Sequence, residues 1–123
     1  MAEDEIIFIA SHAKAGVKYT LNKGAPLTYG WQHAIKRHPY LANKLHCVKH
    51  AVENYEISYW DENHYGEGDR ERLYCKGADP ERPELYMVVS AEYKTDYEAT
   101  IITVWQTAKI PDFEVDPIYV KAE

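Results

Sequence analysis

The apolar residues of this chain change their spacing once, near Asn54, and that change limits what the chain can fold into. Before it, Leu41, Leu45, Val48 and Val52 recur every three to four residues, which puts them on one face of a helix. After it the repeat is two, as in Leu73 and Cys75 alternating with Arg72, Tyr74 and Lys76. Helices first and strands afterwards predict an α+β fold, with two helices packed on a mostly antiparallel sheet of four to five strands. The strands are expected at Tyr55 to Asp61, Arg70 to Gly77, Leu85 to Lys94 and Ala99 to Ile110, and the short connections between them favour a meander. The third is apolar on both faces and belongs near the centre.

The ends of the pattern are less regular. Ile6 to Ala10 and Val17 to Leu21 read as short strands, and 21–26 reads as a loop because Gly24 and Pro26 punctuate it. Thr28 can then cap a helix whose inner face carries Trp31, Ala34, Ile35 and His38 and whose outer face carries His33, Lys36 and Arg37. Pro39 ends that helix by restricting His38. A second helix follows over Tyr40 to Asn54, with His46, Lys49, His50 and Glu53 outward. Residues 111–123 read as an extended tail that can add an edge strand at Ile118-Tyr119-Val120. A length of 123 residues suits one buried core, so residues 1–123 are expected to form a single domain. It divides into a basic helical part to about 54, a sheet over 55–110 and the tail.

The longest uncharged apolar stretch, Ile6 to Ala10, is far below the roughly 18 residues of a membrane span. The start Ala2-Glu3-Asp4-Glu5 lacks the positive flank of a secretory signal. A cytoplasmic protein without a membrane partner is therefore expected, and in that compartment Cys47 and Cys75, which form no CxxC pair, are expected to be free thiols.

Charge is distributed unevenly. Overall, 14 Lys and Arg stand against 20 Asp and Glu, yet Ser11 to Val52 holds seven cations, no acid and five of the six histidines. Two readings follow: the first half presents a local field to an anionic partner, or the two halves attract each other on folding. Strand alternation adds to the first. Arg70, Arg72, Tyr74 and Lys76 share a face of their strand, and if Ile102 and Val104 are the core pair of the last strand, Thr103, Trp105 and Thr107 lie opposite. Such a face can grip a phosphate chain and stack a base. The plainer reading is an edge strand with solvated cations and with threonines that favour strand structure.

The string HAIKRHPYLANKLHCVKHAVENYEIS resembles the start of small phage and toxin nuclease domains, in which a helix with a KHP-like ending leads to a second helix and a turn, here Asn54-Tyr55-Glu56-Ile57. RLYCKG, LYMVVSAEY and IITVWQTAKI are similar to the strands of the same group, the phage-associated relatives of barnase, EndoU, colicin and RelE nucleases called the BECR fold. The resemblance covers roughly residues 28 to 110. It implies metal-independent RNA cleavage, in which a ribose 2′-hydroxyl attacks the adjacent phosphate and leaves a 2′,3′-cyclic end. His33 and His38 match the helix motif and are the side chains suited to the two proton transfers. Arg72, Thr103 and Thr107 complete the implied catalytic set. Lys36, Arg37 and Lys76 are the implied phosphate contacts, and Tyr74 or Trp105 the implied stacking surface. The implied partners are RNA and an antitoxin, an immunity protein or a host protein.

Other chemistries have weaker signals. His46, His50 and Glu53 fall on one helix face, but a structural zinc site takes four ligands, and neither His64 nor the acids of the 63–69 turn has a spacing that completes the set. No metal and no cofactor are expected. No serine sits in a nucleophile elbow, Cys47 lacks visible activation, and Gly66 and Gly68 lie in an acidic turn without a phosphate-loop lysine. Two rivals to the nuclease remain. One is a non-catalytic inhibitor that binds a protein partner through a surface rich in the chain's 11 tyrosines and in acids. The other is a nuclease-like fold that binds RNA without cutting it. The feature that separates them is whether His33 converges on the face that carries Arg72 and Thr103.

Overall fold

A computed structural model describes residues 5–12, 16–61, 69–112 and 116–121. Its elements are β1 (Ile6–Ser11), β2 (Lys18–Asn22), α1 (Gly30–Arg37), a 3-10 turn (Pro39–Asn43), α2 (Leu45–Asn54), β3 (Ile57–Trp60), β4 (Arg70–Lys76), β5 (Tyr86–Thr95), β6 (Glu98–Thr107) and β7 (Tyr119–Val120). Among the described residues the sheet has seven strands in the order β1-β2-β6-β5-β4-β3-β7, with every pairing antiparallel except β2 to β6. The α+β class and the two α-helices agree with the sequence reading, but the expected four to five strands are too few. The β1–β2 hairpin joins one side of the β3–β6 meander and β7 joins the other, and both pairings are long-range. β4 lies inside the sheet, so its cations are not those of an edge strand.

Burial explains the two faces. On one face Leu73, Met87, Val89, Ile101 and Val104 pack with Cys47, Val48, Ala51 and Val52 of α2 and Ala34 of α1. The expected core pair Ile102 and Val104 is corrected to Ile101 and Val104. Ser90 pairs with Thr103 but Ala91 pairs with Ile101, so Ile102 is the extra residue of a β-bulge. The bulge shifts alternation by one and leaves Ile102 half-buried. Beyond it, Thr103 and Trp105 point away from the core.

The second helix is shorter than its periodicity suggested. Residues 39–43 form a 3-10 turn, and Lys44, at φ −116° and ψ 20°, separates it from α2. Leu41 is nevertheless fully buried, because the tighter turn still brings it to the inner face. Lys44 is also tied to the β4–β5 connection, with its Nζ 3.1 Å from Asp79 and 2.9 Å from Glu81. Among the described ion pairs it is the one that joins the basic first half to the acidic second half. Buried Asp79 also accepts the Glu81 amide and the Gln106 side chain, and these bonds with Lys44 outweigh burial and hold its carboxyl below the usual range.

A polar cluster joins the hairpin to the meander. Glu71 of β4 is 1% exposed, and its Oε1 accepts hydrogen bonds from Tyr19 of β2 and Tyr93 of β5, each at 2.7 Å. Tyr55, at the end of α2, lies 3.3 Å from the Tyr19 hydroxyl. Burial and the nearby Glu71 carboxylate push the Tyr19 phenol far above its ordinary pKa. It therefore stays a neutral donor.

α1 is set by a backbone crossing rather than by a cap. Thr28, expected to cap the helix, instead donates its backbone N–H to Ala25, and the cap position falls to Tyr29, whose side chain does not cap the helix. Gly24 and Gly30 cross at close range with φ of +67° and +83°. A Cβ on Gly30 would lie 2.7 Å from the Asn22 carbonyl oxygen, and one on Gly24 would lie 2.0 Å from that of Tyr29. Gly30→Ala is expected to lower the unfolding free energy by about 3 kcal/mol, from left-handed backbone strain plus the backbone collision. Denaturant unfolding measures this, and a loss under ~0.5 kcal/mol would show that the crossing is not needed.

Candidate functional site

The sheet face turned away from the core carries a row of cross-strand neighbours, Arg72 on β4, Ser90 on β5 and Thr103 on β6. On the β6 side, β2 pairs only with residues 98–100, and α1 is the main helical neighbour of β6. The end of α1 therefore reaches the rim of the far face. A cleft of about 510 Å³ lies there. His33, Arg37 and His38 line it from the α1 side, Arg70, Arg72 and Asp61 from the opposite side, and Ser90, Thr103 and Trp105 from the floor.

Each group has a physical setting. His33 Nδ1 lies 3.0 Å from the Pro26 carbonyl oxygen. A carbonyl only accepts, so Nδ1 carries the hydrogen and Nε2 is the nitrogen left for other partners. His38 follows α1 directly, and burial, then the neighbouring Arg37 and His33, lower its pKa from the ordinary 6.5. It is a neutral imidazole at pH 7. Arg72 donates from Nε to Asp61 Oδ2 at 3.1 Å, and its guanidinium carbon sits 5.3 Å from the centre of the Trp105 ring. Arg70 pairs with Glu92 at 3.1 Å. Arg37 makes no ion pair among the described residues. Thr103 Oγ1 is buried without a hydrogen-bond partner among them.

Of the residues singled out from the sequence, His33, His38, Arg37, Arg72, Thr103 and Trp105 line this one cleft, and four do not. Lys36 is exposed outside the lining, since it precedes Arg37 on the helix and points elsewhere. Thr107 lies further along β6 and donates to the Lys109 carbonyl at 3.2 Å. Lys76 sits 5.9 Å over the Tyr86 ring, away from the cleft. Tyr74 is only 1% exposed, edge-on to the rings of Tyr59 and Tyr86, so the expected stacking role is corrected: no base can reach it. Burial raises its phenol pKa, with Arg72 pulling the other way.

Three lining residues were not selected from the sequence. Alternation already put Arg70 on the face of Arg72, so that signal existed. Ser90 had none beyond its strand. Asp61 had none either, because its approach to Arg72 depends on β3 pairing Tyr59 with Arg72.

The remaining chemistry-bearing residues are not gathered into this cleft. His46 Nε2 lies 3.4 Å from Cys47 Sγ, His50 bonds with Asn54, and His64 and most of the 63–69 turn lie outside the described residues. Both cysteines are free and buried, and burial raises both thiols, Cys75 to about 11. Neither has the depressed pKa of a nucleophile. No helix of the described residues is long and apolar enough to cross a membrane. No protein-family model matches the chain, and neither a curated protein nor a solved structure matches it.

The His38 environment carries a pH consequence. A folded-state pKa below 6.5 means that the unfolded chain takes up this proton first as the pH falls, so His38 costs stability progressively below about pH 6.5 and nothing well above it. An NMR titration should place the His38 midpoint below 6.5, and Arg37→Gln should raise it only partway, because burial remains. A midpoint unmoved by Arg37→Gln would remove the guanidinium from the cause.

Proposed function

We propose that the protein is a small endoribonuclease, resembling the BECR-fold enzymes, that cuts RNA without a metal by attack of a 2′-hydroxyl on the adjacent phosphate. The observation that supports this reading is that His33 and His38 line the same cleft as Arg37, Arg72 and Thr103, although some forty to seventy residues separate the helix from the strands. The succession of α1, α2 and the β3–β6 meander is also in keeping with that fold.

In this reading neutral His38 takes the proton from O2′ while O2′ forms its bond to phosphorus. The P–O5′ bond then breaks, and His33, anchored by its Nδ1–H on Pro26, passes a proton from Nε2 to O5′. His33 thereby becomes the neutral base and His38 the acid that later reopens the 2′,3′-cyclic phosphate with water. Arg37 and Arg72 offset the charge that builds on the phosphate, Thr103 offers a hydroxyl donor, and the part of the Trp105 ring that the Arg72 guanidinium does not cover is the stacking surface at the cleft. Such an enzyme would act on cytoplasmic RNA, as a toxin or phage-associated effector, and would call for an antitoxin or immunity protein in its own host.

The test is incubation of the purified protein with end-labelled RNA in EDTA. Cyclic phosphate ends are expected, with His33→Ala and His38→Ala each slowing cleavage by about 10²-fold or more. Intact RNA at high protein concentration, or cutting that survives both substitutions, would overturn the proposal. RNA bound but uncut would point to the non-cutting relative, and RNA neither bound nor cut would point to the protein-binding inhibitor.

A further inference from the structure

We propose that Asp61 is a positioning residue, whose carboxylate holds the Arg72 guanidinium on Trp105 so that its outer N–H edge grips a substrate phosphate. This deepens the nuclease reading and rests on it. A carboxylate beside a phosphate site needs a reason, since on charge alone it repels the substrate. It either competes with the phosphate for the arginine or orients the arginine for it, and the two roles use different edges of the guanidinium.

The guanidinium is a planar fork of five N–H donors, and its end edge, formed by the two Nη groups, is one that takes an oxyanion in two parallel bonds. Asp61 Oδ2 instead contacts Nε, at the stem of the fork, at 3.1 Å. Exposure runs the same way. The Asp61 side chain is 11% exposed and that of Arg72 is 29%, so the cation is the partner turned toward solvent. Trp105 supports the guanidinium at 5.3 Å.

The three parts are rigidly carried. Arg72 lies in β4, paired on both sides, Trp105 lies in β6 opposite Val88, and the Asp61 backbone N–H donates to the Arg70 carbonyl at 2.7 Å. Arg72 is thus ordered before any ligand arrives, and binding does not have to immobilise a long side chain. Thr103 and Ser90 stand in the same cross-strand row and complete a shallow cradle.

The test compares wild type, Asp61→Asn and Asp61→Ala for binding of inorganic phosphate, read by NMR of the Arg72 side chain, and for RNA cleavage. Removing an anion should by charge alone strengthen phosphate binding. Positioning predicts the opposite sign, a loss of about tenfold in phosphate affinity and in cleavage rate, as expected for one charge-assisted contact. Stronger or unchanged phosphate binding by the variants would overturn the positioning role, while cleavage by wild type would leave the nuclease reading standing. Wild type that neither binds phosphate nor cuts RNA would remove that reading and this role together. A measurement on wild type alone covers variants that fail to fold. With phosphate added, the Arg72 Nε–H should keep its protection from exchange while the Nη signals shift; loss of Nε–H protection would mean that phosphate displaces Asp61, and the proposal would fail.

Discussion

The long side of β6 is shared between two partners, and the shape of the candidate site depends on that division. β2 pairs with β6 only through residues 98–100, in the sheet's one parallel register. A parallel pairing needs a crossover, which here runs from β2 through both helices and three strands before β6 is reached. Further along, α1 packs on β6 and Tyr40 accepts the Gln106 amide, so a strand side that would otherwise stay open is capped by a helix and a phenol. A helix in that place can bury Ala34 in the core and still bring His33 and Arg37 to the opposite face. Had β2 run the full length of β6, the far face would have lacked this wall.

Holding β2 in register falls to the Glu71 cluster. Two tyrosine hydroxyls satisfy one oxygen of a buried carboxylate, and each comes from a different strand. A buried charge costs several kcal/mol unless its hydrogen bonds are well made, and a slipped β2 register would take away the Tyr19 donor and leave only that of Tyr93. The cluster therefore specifies the register at which the hairpin docks, a constraint that apolar packing of Leu21 and Val17 would impose more weakly. The Gly24–Gly30 crossing then turns the chain sharply from β2 into α1, and the same loop supplies the Pro26 carbonyl that orients His33.

The cleft is cationic without being unbalanced. Two of its three arginines are tied to carboxylates, and Arg37 stays outside any described ion pair next to a histidine that it helps keep neutral. An anion that reached this place would meet a fixed guanidinium at Arg72 and a less constrained one at Arg37. The acidic net charge of the chain does not oppose this, because fields act over about a Debye length, ~8 Å at physiological salt, and the cleft's own residues dominate there.

Local pattern was enough for much of the molecule. The spacing of Val48 and Val52 put them on the buried side of α2, alternation put Arg70 and Arg72 on one face, and Pro39 ended the first helix, because each depends on neighbours within a turn or a pleat. What the pattern could not carry was decided over long range. The bulge at Ile102 moved the core pair to Ile101, since a one-residue register shift is set by the partner strand. The hairpin and β7 joined the sheet through pairings that no short window contains. Tyr74, placed by alternation on the right face, was buried by its neighbours there. The meeting of His33 with Arg72, and of Arg72 with Asp61, followed from where β2 stops and how β3 pairs, which are properties of the packed sheet rather than of any segment of the chain.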